Sequence, residues 1–398
     1  MSQLDTRYSW LRLFISLLIA VIGNVGMWAI VVVLPDFQAE MGLDRANASL
    51  PYTFTMIGFA VGNYAIGRMV DRYGIVACLL GAAVLNSAAF YAATLTSSLW
   101  IICFIQLLLG FASAAAFGPL IADVSKWFLK RRGIAVAIAA SGNYLSGAIW
   151  PLLLTGVLQT SGWQGVYLWL AALTITIMVP FSLLLSQKVN DKSIQLADAQ
   201  SSNRLGALPF SARTLTWLLG LAGVGCCVAM SMPQVHIVAY CVDLGYGPTA
   251  GAEMLSLMLM GGVFSRLISG VLADRLGGVR TLLIGASLQC VGLALYLPSD
   301  GLASLYLVSL VFGLSQGGIV PSYAIIVREY LPARMAGERV GFVMMATIIG
   351  MALGGWMSGW IYDASGSYAL AFWNGIAWNF LNIAIVGFIS WRAMKHQN

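Results

Sequence analysis

Charge is scarce in this chain. Only 9% of its 398 residues are Asp, Glu, Lys or Arg, against about 25% in soluble domains. So few charges cannot cover a water-exposed surface of ordinary size, which excludes a soluble globular fold. Catalytic equipment is missing as well. There is no phosphate-cradling glycine loop, no His/Cys/Asp/Glu cluster at metal-ligand spacing and no nucleophile–base pattern, so the sequence calls for neither an enzyme nor a cofactor or metal. The six cysteines, Cys78, Cys103, Cys226, Cys227, Cys241 and Cys290, stand in or near apolar runs and are read as small packed hydrophobes. The net charge of +6 is scattered over short connections, which is no nucleic-acid footprint. No cleavable signal peptide is expected: Met1 to Thr6 is short and polar, and the run from Trp10 to Leu34 is long enough to span and stay.

What the chain has is apolar length. Hydrophobic residues make up 60% of it, in runs near the ~20 residues that carry a helix across a bilayer. Twelve spans are expected, beginning near Trp10, Leu50, Ile75, Leu99, Gly133, Val166, Thr214, Gly251, Arg280, Leu305, Val340 and Leu370. The fold class is therefore an all-α membrane protein with twelve transmembrane helices and the lipid bilayer as its partner. Charge placement orients it. Of 21 Lys and Arg, Arg45 alone falls on the side that collects Asp36, Glu40, Asp44, Asp243, Glu253, Asp300 and Asp363, and Arg266 alone falls inside a span. By the positive-inside rule both termini are expected in the cytoplasm.

The longest polar stretch, 187–213, reads as a cytoplasmic linker between two six-helix bundles, 1–186 and 214–398. Internal repetition supports that division. Gly67-Arg-Met-Val-Asp71-Arg72-Tyr-Gly74 follows the second span, and Gly270-Val-Leu-Ala-Asp274-Arg275-Leu-Gly277 follows the eighth. Both read G-x-x-x-D-R-x-G, 203 residues apart in a chain of 398. Asp123 before Arg132, and Glu329 before Arg339, are a weaker echo at the nearby offsets of 206 and 207.

These paired loops are the signature of the major facilitator superfamily, and over its whole length the chain resembles that family's transporters. The resemblance implies two pseudo-symmetric six-helix bundles, alternating access and a monomer that works alone. Lys126-Trp-Phe-Leu-Lys-Arg-Arg-Gly-Ile-Ala135, the segment Pro233 to Gly245 and the segment Gly359 to Tyr368 are similar to monocarboxylate and oxalate/formate carriers of bacterial type. In that resemblance Arg266 falls where those carriers keep a substrate-binding Arg.

Arg266 also stands out from the residues alone. A guanidinium stays protonated, and its insertion at a helix centre costs about 2.5 to 3.5 kcal/mol. Lying eight residues before Asp274, it is roughly 12 Å from the helix end, too deep for easy snorkelling. It is read as the receiver of a substrate carboxylate, which a planar guanidinium grips bidentately. Many eukaryotic relatives keep an Asp one turn earlier, where this chain has Gly262. Oxalate carriers keep a second cation in span 11, where this chain has Thr347. A single cavity cation favours a monoanion over a dianion.

Further substrate contacts are expected by position at Asn24, Trp28, Phe117, Asn143, Tyr144 and Tyr323. Phe117 stands where relatives often have a Tyr, so the site has fewer hydroxyls and suits an apolar body. Asn63 and other polar residues inside spans are weaker candidates, since many will be ordinary interhelical hydrogen bonds. Proton coupling is assigned to His236 or Asp243 in span 7, because His is the natural switch near neutral pH and an acid at that helix end is a proton carrier in bacterial relatives. Packing and helix-end roles are the plain alternatives.

Gating is assigned to the repeat loops. Gly67 and Gly270 permit close helix approach, and Asp71 and Asp274 are expected to cap neighbouring helix N-termini. Arg72 is expected to pair with Asp123, and Arg275 with Glu329. The resulting reading is an inner-membrane, proton-coupled symporter of a small organic monocarboxylate. Carboxylate exchange and export of amphipathic compounds remain open.

Overall fold

The computed structural model describes residues 4–42, 45–187, 189 and 210–395. Every regular element among them is helical. In chain order we number α1 Arg7–Val33, α2 Arg45–Tyr73, α3 Ile75–Ala93, α4 Leu99–Ser125, α5 Arg132–Pro151, α6 Gly156–Leu184, α7 Ala212–Asp243, α8 Gly247–Leu276, α9 Gly278–Tyr296, α10 Leu302–Tyr330, α11 Ala336–Ser365 and α12 Tyr368–Lys395.

Among the described residues, eleven helices are long and apolar enough to cross a membrane. The twelfth, α2, has the length at 29 residues but is more polar, carrying Thr53, Thr55, Asn63, Arg68, Asp71 and Arg72. The expected helix count is therefore met. Most of the linker expected over 187–213 lies outside the described residues.

Local chemistry sets the helix ends. At α1, Thr6 and Ser9 form a reciprocal capping box. At α7, the Ser211 hydroxyl accepts from the Thr214 N–H at 3.1 Å. The last residue of each repeated loop explains its glycine. Gly74 sits at φ 85°, ψ 163° between α2 and α3, and Gly277 at φ 84°, ψ 162° between α8 and α9. Both are in a region that residues with a Cβ rarely enter.

The chain forms two compact units. The first is Met1–Phe128, Ala139–Ile194 and Arg334–Met345; the second is Leu129–Ile138, Gln195–Ala333 and Ala346–Asn398. Each unit thus includes a short segment from the opposite half of the sequence.

Inside both units, glycines let helix backbones touch. A Cβ on Gly58 would meet the Leu107 carbonyl, and one on Gly110 the Thr55 carbonyl, where α2 packs on α4. In the second unit a Cβ on Gly313 would meet the Met258 carbonyl, where α8 packs on α10. Gly110 and Gly313 are again 203 residues apart, so the repeat extends from the loops into the packing. The core of the second unit holds Tyr296 stacked on Phe372 with ring centroids 4.9 Å apart.

Candidate functional site

Arg266 lies on α8 and is 3% exposed. It faces a break in α10, where the α-helix Leu302–Gln316 ends and Ile319–Tyr330 begins. Gly317, in that break, accepts a hydrogen bond on its carbonyl from Arg266 Nε at 3.2 Å. The approach is possible because residues on α10 are small. A Cβ on Gly317 would meet the Gly262 carbonyl and Ser265 Cβ, and one on Gly318 would meet the Ser269 side chain. Gly262, notable in sequence for not being an acid, is thus part of the surface on which α10 rests.

The first unit holds the repeat's counterpart. Asn63 on α2 is 203 residues before Arg266, and it too reaches a broken helix. Within α4, a 3-10 turn at Ala114–Ala116 separates two α-helical stretches. Asn63 Oδ1 accepts from the Gly118 N–H at 3.0 Å, and its Nδ2 donates to the Phe59 carbonyl at 2.8 Å.

Two expected substrate contacts, Asn24 and Phe117, lie at the same break in the first unit. Asn24 is buried, at the interruption of α1, and its Nδ2 donates to the carbonyls of Ala20 at 2.7 Å and Ala116 at 3.2 Å. It therefore adjoins Phe117, which packs on Phe59 with centroids 5.7 Å apart. Trp28 lies against α5, where a Cβ on Gly147 would meet its indole ring. Asn143 and Tyr144 are one turn earlier on α5. Among the described residues, Asn24 Oδ1, Trp28 Nε1 and Asn143 Oδ1 have no hydrogen-bond partner. Tyr323 is placed differently: fully buried in the second unit, it donates its hydroxyl to Asn382 Oδ1 at 2.8 Å.

His236 bridges three helices. Its Nε2 is 2.8 Å from the Gly355 carbonyl and its Nδ1 is 3.3 Å from the Tyr368 hydroxyl. A carbonyl only accepts, so Nε2 carries hydrogen and Tyr368 donates to Nδ1 in the neutral ring. Tyr368 in turn stacks on Tyr362 at 4.3 Å. Asp243 is the last residue of α7 and is exposed.

In the repeated loops, the carboxylates cap helices as expected. Asp71 accepts from the backbone N–H groups of Gly337 at 3.0 Å and Glu338 at 2.8 Å, in the first turn of α11. Asp274 accepts from Gly133 at 2.5 Å and Ile134 at 3.1 Å, in the first turn of α5. These are the donors a helix start leaves unsatisfied, at its positive end. Gly67 and Gly270 allow the contact, since a Cβ on either would strike the backbone of Gly337 or of Gly133 and Ile134. Lys126 Nζ adds an ion pair to Asp71 at 3.3 Å.

The expected partner of Asp123 is corrected. It pairs with Arg12, Nη2 to Oδ2 at 2.8 Å, and Arg72 lies instead over the Tyr73 ring at 5.2 Å. Arg12 is held by more than one charge. Its Nη1 donates to the Leu185 carbonyl at 2.8 Å, and its guanidinium covers Trp127 at 4.6 Å. A buried cation at the carbonyl end of α6 gathers acceptors that a loop arginine does not reach. Glu329 turns both oxygens to the Gly278 N–H, at 3.0 and 3.1 Å, at the start of α9.

Comparison with known proteins agrees with this architecture. A family model described as Major Facilitator Superfamily matches residues 16–337 and 219–396. The chain is similar to monocarboxylate transporter 13 of Bos taurus, 28% identical over 323 residues, covering 79% of this chain and 74% of the relative. It is also similar to monocarboxylate transporter 11 of Homo sapiens, 30% identical over 316 residues, covering 76% and 66%. Among solved structures, the E. coli fucose:proton symporter superposes with a TM-score of 0.72 at 14% identity, covering 96% of this chain and 99% of that one. A proton:xylose symporter bound to 6-bromo-6-deoxy-D-glucose gives 0.73 at 14%, covering 95% and 94%. At that identity the solved structures speak for the twelve-helix fold alone.

Proposed function

Because this chain belongs to the Major Facilitator Superfamily, we propose that it is a secondary transporter of a small organic monocarboxylate, with Arg266 as the carboxylate contact. The carrying observation is a fixed cation at 3% exposure beside a broken helix, at the position whose counterpart in the repeat is the neutral Asn63. Relatives named monocarboxylate transporters support the substrate class. Thr347, where oxalate carriers keep a second cation, favours a monoanion.

In this reading Asn24, Trp28, Phe117, Asn143 and Tyr144 accommodate the rest of the substrate, and Tyr323 stiffens the second half through Asn382. A proton accompanies the anion through Asp243 or His236. The caps on α5 and α11 by Asp274 and Asp71 are gating contacts, made and broken as the halves 1–186 and 214–398 alternate, with 187–213 joining them. Arg275 and Glu329 belong to the same gate. The protein works as a monomer in the inner membrane with both termini in the cytoplasm, the orientation that the Lys and Arg distribution favours.

Uptake of labelled lactate, acetate and benzoate into proteoliposomes, with a pH dye inside, tests this directly. Saturable uptake that acidifies the interior is expected for the wild type, and no uptake for Arg266→Ala. Uptake by Arg266→Ala at the wild-type rate sinks the site assignment. Uptake that needs an internal carboxylate and leaves pH unchanged selects exchange instead of symport. A stronger response to a dicarboxylate than to any monocarboxylate removes the one-cation argument.

A further inference from the structure

The break in α10 has a cause in its residues. In a continuous helix the Gly317 carbonyl would accept from the N–H of residue 321. That residue is Pro321, which has no N–H to give. The following turn resumes normally, with Ser322 donating its backbone N–H to the Gly318 carbonyl at 3.3 Å and its hydroxyl at 2.7 Å. One carbonyl in the middle of an apolar helix therefore lacks its regular donor, and Arg266 Nε supplies one at 3.2 Å. An unsatisfied carbonyl at this depth is costly, so the two groups meet a mutual need.

We infer that the carbonyl of Gly317, released by Pro321, is a positioning group for Arg266. By taking the Nε–H it fixes the plane of the guanidinium. It also removes the side-on edge, Nε with its neighbouring Nη, from the ways in which Arg266 grips an anion. The inference rests on the reading of Arg266 as the carboxylate contact. It adds that Pro321 and Gly317, neither of which carries a charge, set the affinity and orientation of that contact. The close seat of α10 on α8 at Gly262 and Ser265 holds the carbonyl in place.

The test is Pro321→Ala in the full-length protein, with lactate uptake into proteoliposomes as the readout. Alanine restores the N–H, returns the Gly317 carbonyl to the helix and takes the anchor from Nε. The KM for lactate is expected to rise at least tenfold, with Vmax within twofold and a melting temperature equal to or above wild type. Gly313→Ala is the packing control. Its Cβ meets the Met258 carbonyl on the same helix pair but leaves Gly317 alone, so it should lower the melting temperature and leave KM within twofold. Arg266→Lys keeps the charge without an Nε–H, and Pro321→Ala added to it should raise KM no further.

A Pro321→Ala protein with wild-type KM overturns the inference, as does an equal rise in KM in the Arg266→Lys background. Should Pro321→Ala fail to assemble, the wild type decides. The Nε–H resonance of Arg266, assigned by its absence in Arg266→Lys, is expected to stay protected from solvent exchange when lactate is added. Loss of that protection overturns the inference. Failure of the underlying reading looks different: wild type and Arg266→Ala then take up lactate alike.

Discussion

Asn63 and Arg266 occupy equivalent places in the two halves of the repeat, and each ties its helix to a break in a neighbour. In the first unit the tie is an amide oxygen taking the Gly118 N–H, with the amide nitrogen bound to its own helix at Phe59. In the second it is a guanidinium donating to a carbonyl. Even the turn before each break corresponds: Ser113 and Gln316 are 203 residues apart, both buried, and their side-chain polar atoms lack hydrogen-bond partners among the described residues. The scaffold is therefore repeated while the chemistry is not. A neutral clamp is enough to hold a broken helix, so holding the helix does not account for a charge at Arg266. The proposed anion contact does.

Breaking the two clamps should give different kinds of damage. Arg266→Ala removes two charge-assisted hydrogen bonds of about 1.5 kcal/mol each or more, so uptake at low substrate should fall roughly 100-fold or further, measured as initial rate in proteoliposomes. Arg12→Ala, which touches neither clamp, leaves the buried Asp123 charge alone. It should cost about 3 to 5 kcal/mol of stability, read as a lower melting temperature and a loss of expressed protein. Asn63→Ala leaves the Gly118 N–H without its acceptor, for about 1 to 3 kcal/mol, and should lower the melting temperature while KM stays near wild type.

Smaller effects separate the two capping loops. Asp71→Asn loses charge both at the α11 N-terminus and toward Lys126, whereas Asp274→Asn loses it at α5. Cap charges of this kind contribute about 0.3 to 1 kcal/mol each, so thermal shift should rank Asp71→Asn below Asp274→Asn by a few tenths to one kcal/mol. An equal drop in both proteins would mean that Lys126 contributes nothing to its cap.

Much of this was legible in the sequence, for physical reasons that can be stated residue by residue. Apolar length marks membrane helices because unpaired backbone is excluded from lipid. The 203-residue offset marks the repeat because Gly74 and Gly277 need a left-handed backbone at the same turn. The caps at Asp71 and Asp274 were foreseeable because carboxylates seek helix N-termini. The partners of Arg12, Asn63 and Tyr323 were not. They lie 111, 55 and 59 residues away at Asp123, Gly118 and Asn382, and which face meets them depends on how the broken helices turn. One signal does stand in the sequence: Pro321, four residues after Gly317, leaves an orphan carbonyl within reach of α8.

The most direct measurement is equilibrium binding of lactate, acetate and benzoate by isothermal titration calorimetry to purified wild type, Asn63→Ala and Arg266→Ala. The account predicts saturable binding of a monocarboxylate to the wild type, nearly the same affinity for Asn63→Ala, and no detectable heat for Arg266→Ala. Equal affinity in wild type and Arg266→Ala would contradict it, because the buried cation would then serve the helix break and not the anion.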